Sequence, residues 1–301
     1  MPATRSRVPS LARRLPDRLV PLWRPALLAL GVALLPRAAP AQELVRFPGP
    51  AGATLRALLV LPEGSRPGIP VVALHGCGGL GGPATPPRLP AREADWARRL
   101  SALGHPVLFP DSFGSRGMTE VCAAPENGIT PEATRRDDAL AAAAWANRQN
   151  WARPGGAVLL GWSHGGSTAL SATNMPVPPG LVRAAVALYP GCVRPGRPVP
   201  DFRPVAPVLM LLGEADNWTP AAPCRVLAER AGPGVTVVSY PGAQHGFDQP
   251  DMPVRSLSGL STTADGGGTA RMGTDAAARA DALVRVPTFL ATWAAEPPRA
   301  R

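Results

Sequence analysis

Compact apolar blocks alternate with longer stretches of helical period from about residue 55 to residue 295. Val71-Val72-Ala73-Leu74, Val158-Leu159-Leu160, Val208-Leu209-Met210-Leu211-Leu212 and Val235-Thr236-Val237-Val238 are short and flanked by Gly, Pro or polar residues. Such runs read as buried strands. Between and after them, residues 92–103, 131–149, 165–173, 221–231 and 274–293 carry helical patterns, with Pro287 expected to kink or interrupt the last. Strands alternating with helices predict an α/β fold, a mainly parallel sheet with helices on both faces. The composition does not break over this stretch, and no internal repeat is visible. Residues 42–301 are therefore expected to form one domain.

The first 41 residues differ. An Arg- and Pro-rich start is followed by an apolar run over 25–35 and by Ala39-Pro40-Ala41, an A-x-A site. This is the pattern of a secretory signal peptide, with the mature chain starting at Gln42 in the periplasm or outside the cell. The apolar run is too short to span a bilayer, so no stable membrane anchor is expected. The leader also accounts for most of the charge. Of the net +10, residues 1–41 supply +6 through seven Arg against one Asp, leaving +4 for the remainder. Spread over such a length, without a basic and aromatic cluster, that balance is no nucleic-acid footprint. The four cysteines, at 77, 122, 192 and 224, are an even set in an exported chain. They allow three disulfide pairings. Cys77–Cys122 with Cys192–Cys224 is the preferred one, and free buried thiols are the alternative. No C-x-x-C or H-E-x-x-H spacing points to zinc.

Candidate chemistry starts at Gly161-Trp162-Ser163-His164-Gly165, a G-x-S-x-G. A short apolar strand precedes it and small residues able to open a helix follow. That is the strand, sharp turn and helix of a nucleophile elbow, which needs glycine on both sides of the serine. Such a serine needs a base, and the base an orienting acid, in the chain order Ser, Asp or Glu, His. Asp216 follows the apolar block that ends at Leu212, where open α/β sheets place site residues. Of the histidines at 75, 105, 164 and 245, only His245 lies beyond both Ser163 and Asp216. Asp216 also suits a plain turn or a cap before Thr219-Pro220. Asp248 is a rival acid, but it follows His245 too closely to face the far ring nitrogen. The oxyanion of acyl transfer needs preorganised N–H donors. His164, next after the serine, supplies one. The loop Gly76-Cys77-Gly78-Gly79 after the 71–74 strand supplies the other, assigned to Cys77, while His75 is expected to brace the loop.

With these residues in place, the chain resembles the dienelactone hydrolase family of α/β-hydrolases, in particular its secreted serine-bearing relatives. The resemblance rests on the 75–79 loop, Phe109-Pro110-Asp111-Ser112-Phe113-Gly114-Ser115-Arg116-Gly117, the 161–166 elbow, Leu212-Gly213-Glu214-Ala215-Asp216 and His245-Gly246-Phe247. It implies ester or lactone hydrolysis with no metal or organic cofactor, and it sets Arg116 against an arginine that binds substrate carboxylate in the family. Two positions depart from the pattern. The namesake enzymes have Cys where Ser163 stands, and a Glu near the oxyanion loop where this chain reads Leu74-His75-Gly76-Cys77. The resemblance therefore implies serine-type hydrolysis of a small-molecule ester or lactone rather than dienelactone turnover. A peptidase or acyltransferase using the same triad is the alternative among enzymes. A non-catalytic binding protein of the same fold is the alternative outside them. Specificity is expected from two loops, 111–128 and 250–273. Neither carries an apolar lid, which predicts small, partly polar substrates.

Overall fold

A computed structural model describes residues 41–64, 66–124, 127–193 and 198–293. The expected leader, residues 1–40, lies outside the described residues. Among those described, eight strands form one sheet. They are β1 (Gln42–Pro48), β2 (Thr54–Val60), β3 (Val71–Leu74), β4 (Val107–Pro110), β5 (Ala157–Trp162), β6 (Val182–Leu188), β7 (Val208–Gly213) and β8 (Val235–Tyr240). Their spatial order is β1-β2-β4-β3-β5-β6-β7-β8. The β1–β2 and β2–β4 pairs are antiparallel, and every pair from β4 to β8 is parallel.

Alternation along the strands decides which helix covers which face, because successive side chains point to opposite sides. Val72, Leu74, Leu159, Ala185, Ala187, Val208 and Met210 pack on one side, against α2 (Thr134–Asn147), α3 (His164–Thr173) and α4 (Ala221–Ala231). Val71, Ala73, Val158, Leu160, Val186, Leu188 and Leu209 face the other side, against α1 (Ala91–Ala102) and α5 (Ala276–Thr292). α2 presents Ala139, Ala142, Ala143 and Ala146, all buried, at helical spacing. These small side chains let the helix lie close to the sheet and to α3. Helices thus cover both faces of a mainly parallel sheet, as the apolar pattern predicts.

Two expectations change. Pro287 does not interrupt the last helix, which continues from Ala276 to Thr292. The buried stripe Ala278, Ala282, Val286 and Leu290 holds it to the core on both sides of the proline. Thr288 donates its hydroxyl to the Val284 carbonyl in the turn around the ring. The 250–273 segment is also more ordered in pattern than a loop. It contains an antiparallel pair, β9 (Arg255–Ser258) and β10 (Thr269–Met272). β9 and β10 have no apolar block to announce them.

Candidate active site

β5 runs into α3 through Ser163, whose backbone sits at φ 54° and ψ −119°. A non-glycine residue at positive φ is strained. Close backbone crossings enforce the strain. A Cβ on Gly161 would lie 2.0 Å from the Gly165 carbonyl oxygen, and one on Gly165 would lie 1.9 Å from the Leu74 carbonyl oxygen. Only hydrogen fits at either place, so β3, β5 and α3 meet and Ser163 is turned out at the C-terminal end of the sheet.

Three segments remote in sequence converge there. The Ser163 hydroxyl lies 2.9 Å from His245 Nε2, and His245 Nδ1 lies 2.7 Å from Asp216 Oδ2. Ser163, Asp216 and His245 are 7 %, 4 % and 3 % exposed, so these contacts are shielded from bulk water. Asp216 is held by the turn after β7. Its Oδ1 accepts from the backbone N–H of Trp218 at 2.8 Å and of Thr219 at 3.0 Å. Asp216 thus serves the turn through Oδ1 and faces His245 through Oδ2. The Thr219 hydroxyl, 3.0 Å from both Asp216 Oδ2 and the Tyr189 carbonyl, ties this corner to the end of β6. The His245 ring packs against Tyr189 and Trp218, with each ring centroid 4.7 Å from its own.

Asp248 points elsewhere. It is fully buried and accepts from the indole N–H groups of Trp96 at 2.8 Å and Trp162 at 2.9 Å, and from the Tyr189 hydroxyl at 2.6 Å. Burial pushes the Tyr189 phenol well above its ordinary range, which keeps it a donor to that carboxylate. This acid braces the strand ends behind the site.

The two loops expected to shape specificity meet over Ser163. A cleft of about 680 Å³ is lined by Ser163 and His164, by Cys77, Val121 and Cys122, and by Trp218 and Thr262–Ala264. Its size suits a small molecule. Ser261 donates its backbone N–H to the Cys122 carbonyl at 2.8 Å, and the Trp218 indole donates to the Thr262 carbonyl at 2.9 Å. The Gly273 N–H donates to the His245 carbonyl at 3.0 Å, so the far end of the 250–273 segment is tied to the histidine itself. Both preferred disulfides are present, Cys77–Cys122 and Cys192–Cys224. The first joins Cys77, on the loop after β3, directly to the 111–128 loop.

Arg116 is the expectation that the structure relocates. It does not line this cleft. Both terminal guanidinium nitrogens are bound to the fully buried Asp138 carboxylate at 2.6 Å, and one of them also donates to the Ser112 carbonyl. A guanidinium committed to a buried carboxylate in this bidentate way is not available to a substrate. Cys77 and His164 do line the cleft together with Ser163. His75 is fully buried, and its Nδ1 lies 2.8 Å from the Gly76 carbonyl, inside the loop it was expected to brace. Burial, reinforced by Arg135, holds the His75 imidazole well below its ordinary range and so neutral. Thr219, Tyr189, Trp218 and Arg135 were not read from the sequence, because their contacts join segments that no local pattern links.

The strand order, the elbow between β5 and α3 and the residues gathered at the C-terminal ends of β5, β7 and β8 define an α/β-hydrolase fold. A sequence model of the dienelactone hydrolase family matches residues 55–294, and the chain belongs to that family of hydrolases. No curated protein sequence matches significantly. Among solved structures, the chain is similar to a dienelactone hydrolase-like promiscuous phosphotriesterase from metagenomic libraries. The TM-score is 0.63 and the identity 20 %, over 85 % of this chain and 99 % of that one. It is also similar to Thermogutta terrifontis esterase 2, phosphoramylated by tabun, with a TM-score of 0.59 and 17 % identity over 85 % of this chain and 96 % of that one. At these identities the likeness is one of fold.

Proposed function

We propose that this hydrolase is a serine esterase that cleaves small carboxylic esters or lactones through an acyl-enzyme. The observation that carries the reading is the line from Ser163 Oγ through the His245 ring to Asp216, at 2.9 and 2.7 Å. In the first step Ser163 Oγ attacks the carbonyl carbon and His245 Nε2 takes its proton. Asp216 accepts from His245 Nδ1–H and stabilises the imidazolium. The N–H groups of Cys77 and His164 receive the oxyanion. As the tetrahedral adduct collapses, His245 returns the proton to the leaving alkoxide. Water then attacks the acyl-enzyme with His245 again as base, and the acid leaves. The proposed steps use this chain's residues, the substrate and one water molecule.

The reading predicts turnover of short p-nitrophenyl esters such as the acetate and butyrate. Cleft size and the absence of an apolar lid in the loop sequences predict a fall in kcat/KM with long acyl chains. Preference for long-chain triglycerides would contradict the substrate class. Net acyl transfer to added alcohols or amines, in place of free acid, would move the reading to an acyltransferase.

We also assign the mature chain, from Gln42, to the periplasm or the exterior. The A-x-A site supports this, as do two disulfides, which persist in oxidising compartments. Among the described residues, no helix is long and apolar enough to cross a membrane. Mass spectrometry of the protein exported from its native host should find a start at Gln42 and both bridges closed. A start at Met1, or four alkylatable thiols without reduction, would contradict the assignment.

A further inference from the structure

Behind the proposed oxyanion hole lies a buried cation. Arg135, in the first turn of α2, is 1 % exposed. One terminal guanidinium nitrogen lies 2.6 Å from His164 Nδ1, and the other donates to the His75 carbonyl at 2.8 Å. The guanidinium carbon stands 5.0 Å from the centre of the Phe113 ring. That ring meets both imidazoles edge to face, His75 at 4.7 Å and His164 at 5.9 Å. Arg135 thus touches the two segments that carry the proposed donors. One is the loop that carries the Cys77 N–H, through the carbonyl two residues before it. The other is the start of α3, through the side chain of the residue whose own N–H is the second donor.

We propose that Arg135 is a positioning residue of the oxyanion hole, clamping the 75–77 loop to the first residue of α3 so that the two backbone N–H donors converge. The chemistry of the contacts suits the role. A guanidinium only donates, so His164 Nδ1 accepts, and a neutral His164 carries its proton on Nε2. His75 is neutral as well. The clamp therefore places a buried guanidinium against the His164 ring and the neutral His75 ring, on the side where negative charge develops during acyl transfer. Preorganised charge of this kind acts on the transition state more than on bound substrate. Lysine could keep the charge but not hold both ends, because the reach to a ring nitrogen and a carbonyl together needs the planar fork.

The inference rests on the serine-esterase reading, and one experiment separates the two. R135Q and R135K are compared with the wild-type protein for kcat and KM on p-nitrophenyl acetate. They are also compared for inhibition by an aryl trifluoromethyl ketone. Ser163 Oγ adds to that ketone, His245 takes the proton, and the hemiketal oxygen sits as an oxyanion. R135Q is expected to lose about 100-fold in kcat, the scale of one lost oxyanion donor, with KM changed less than about threefold. Its Ki for the ketone should rise by the same factor as kcat/KM falls. R135K should keep part of the activity, with the same parallel change in Ki. A loss carried by KM, a loss of kcat with ketone affinity unchanged, or activity within threefold of wild type would overturn the role of Arg135. If R135Q does not fold, R135K, with its charge retained, is judged by the same ratio. A wild-type protein that neither turns over esters nor binds the ketone would overturn the esterase reading itself.

Discussion

Replacing Ser163 with alanine is expected to lower kcat/KM for short esters by about 10⁴-fold or more while leaving the fold intact. The size follows from the proposed mechanism. The nucleophile and its base act as a unit, so removing one forfeits nearly all the acceleration they provide together, and only binding and oxyanion stabilisation remain. The Ser163 side chain makes no other contact that the fold needs: its hydroxyl lies 2.9 Å from His245 Nε2, and the elbow is shaped by the glycines at 161 and 165. Alanine also tolerates the φ of 54° no worse than serine does, so thermal stability should stay near the wild-type value. Steady-state rates on p-nitrophenyl acetate, with circular dichroism as the control, test this. A loss smaller than about tenfold would remove Ser163 from its proposed role.

Asp216→Asn is expected to cost about 10³–10⁴-fold in kcat, for a reason that the hydrogen bonds specify. Oδ1 of Asp216 accepts two backbone N–H groups, from Trp218 and Thr219, and Oδ2 faces His245 Nδ1. An asparagine keeps its carbonyl oxygen on the two backbone donors, because turning it round would set its NH₂ against both. The NH₂ then faces His245 Nδ1 and donates to it. That fixes the ring proton on Nε2, the nitrogen that must accept from Ser163. The variant should fold, since the Thr219 hydroxyl can rotate to donate or accept. Its pH-rate profile should show the loss across the neutral range. Activity within tenfold of wild type would mean that another group orients His245.

The part of the site legible in the sequence is the part each strand carries by itself. Ser163, Asp216 and His245 each follow an apolar block, and the sheet's parallel order then brings the ends of β5, β7 and β8 to one edge. The glycines at 161 and 165 mark a backbone crossing too tight for a Cβ on either side of Ser163. The remainder depends on which side chains from distant elements meet, and no local period encodes that. Arg116 looks available in the sequence, yet Asp138, on the buried side of α2, takes its guanidinium. Arg135, an arginine opening an alanine-rich helix, looks like a solvated charge. It is buried because α2 packs against α3 and the 75–77 loop closes over it. Of the kink or interruption expected at Pro287, the interruption does not occur, since packing of Val286 and Leu290 carries the helix on. The β9–β10 pair has exposed, polar residues on much of both strands and gives no apolar signal.

The most direct test of the central claim is to locate the adduct formed with a fluorophosphonate. The expected chemistry is attack of Ser163 Oγ on phosphorus, with the P–F bond breaking, fluoride leaving and the proton passing to His245. After labelling, peptide mass spectrometry should place one phosphonyl group on Ser163, with esterase activity lost in proportion to labelling. No adduct should form in S163A. An adduct on a different residue, or full esterase activity in a protein that carries no adduct at Ser163, would contradict the account.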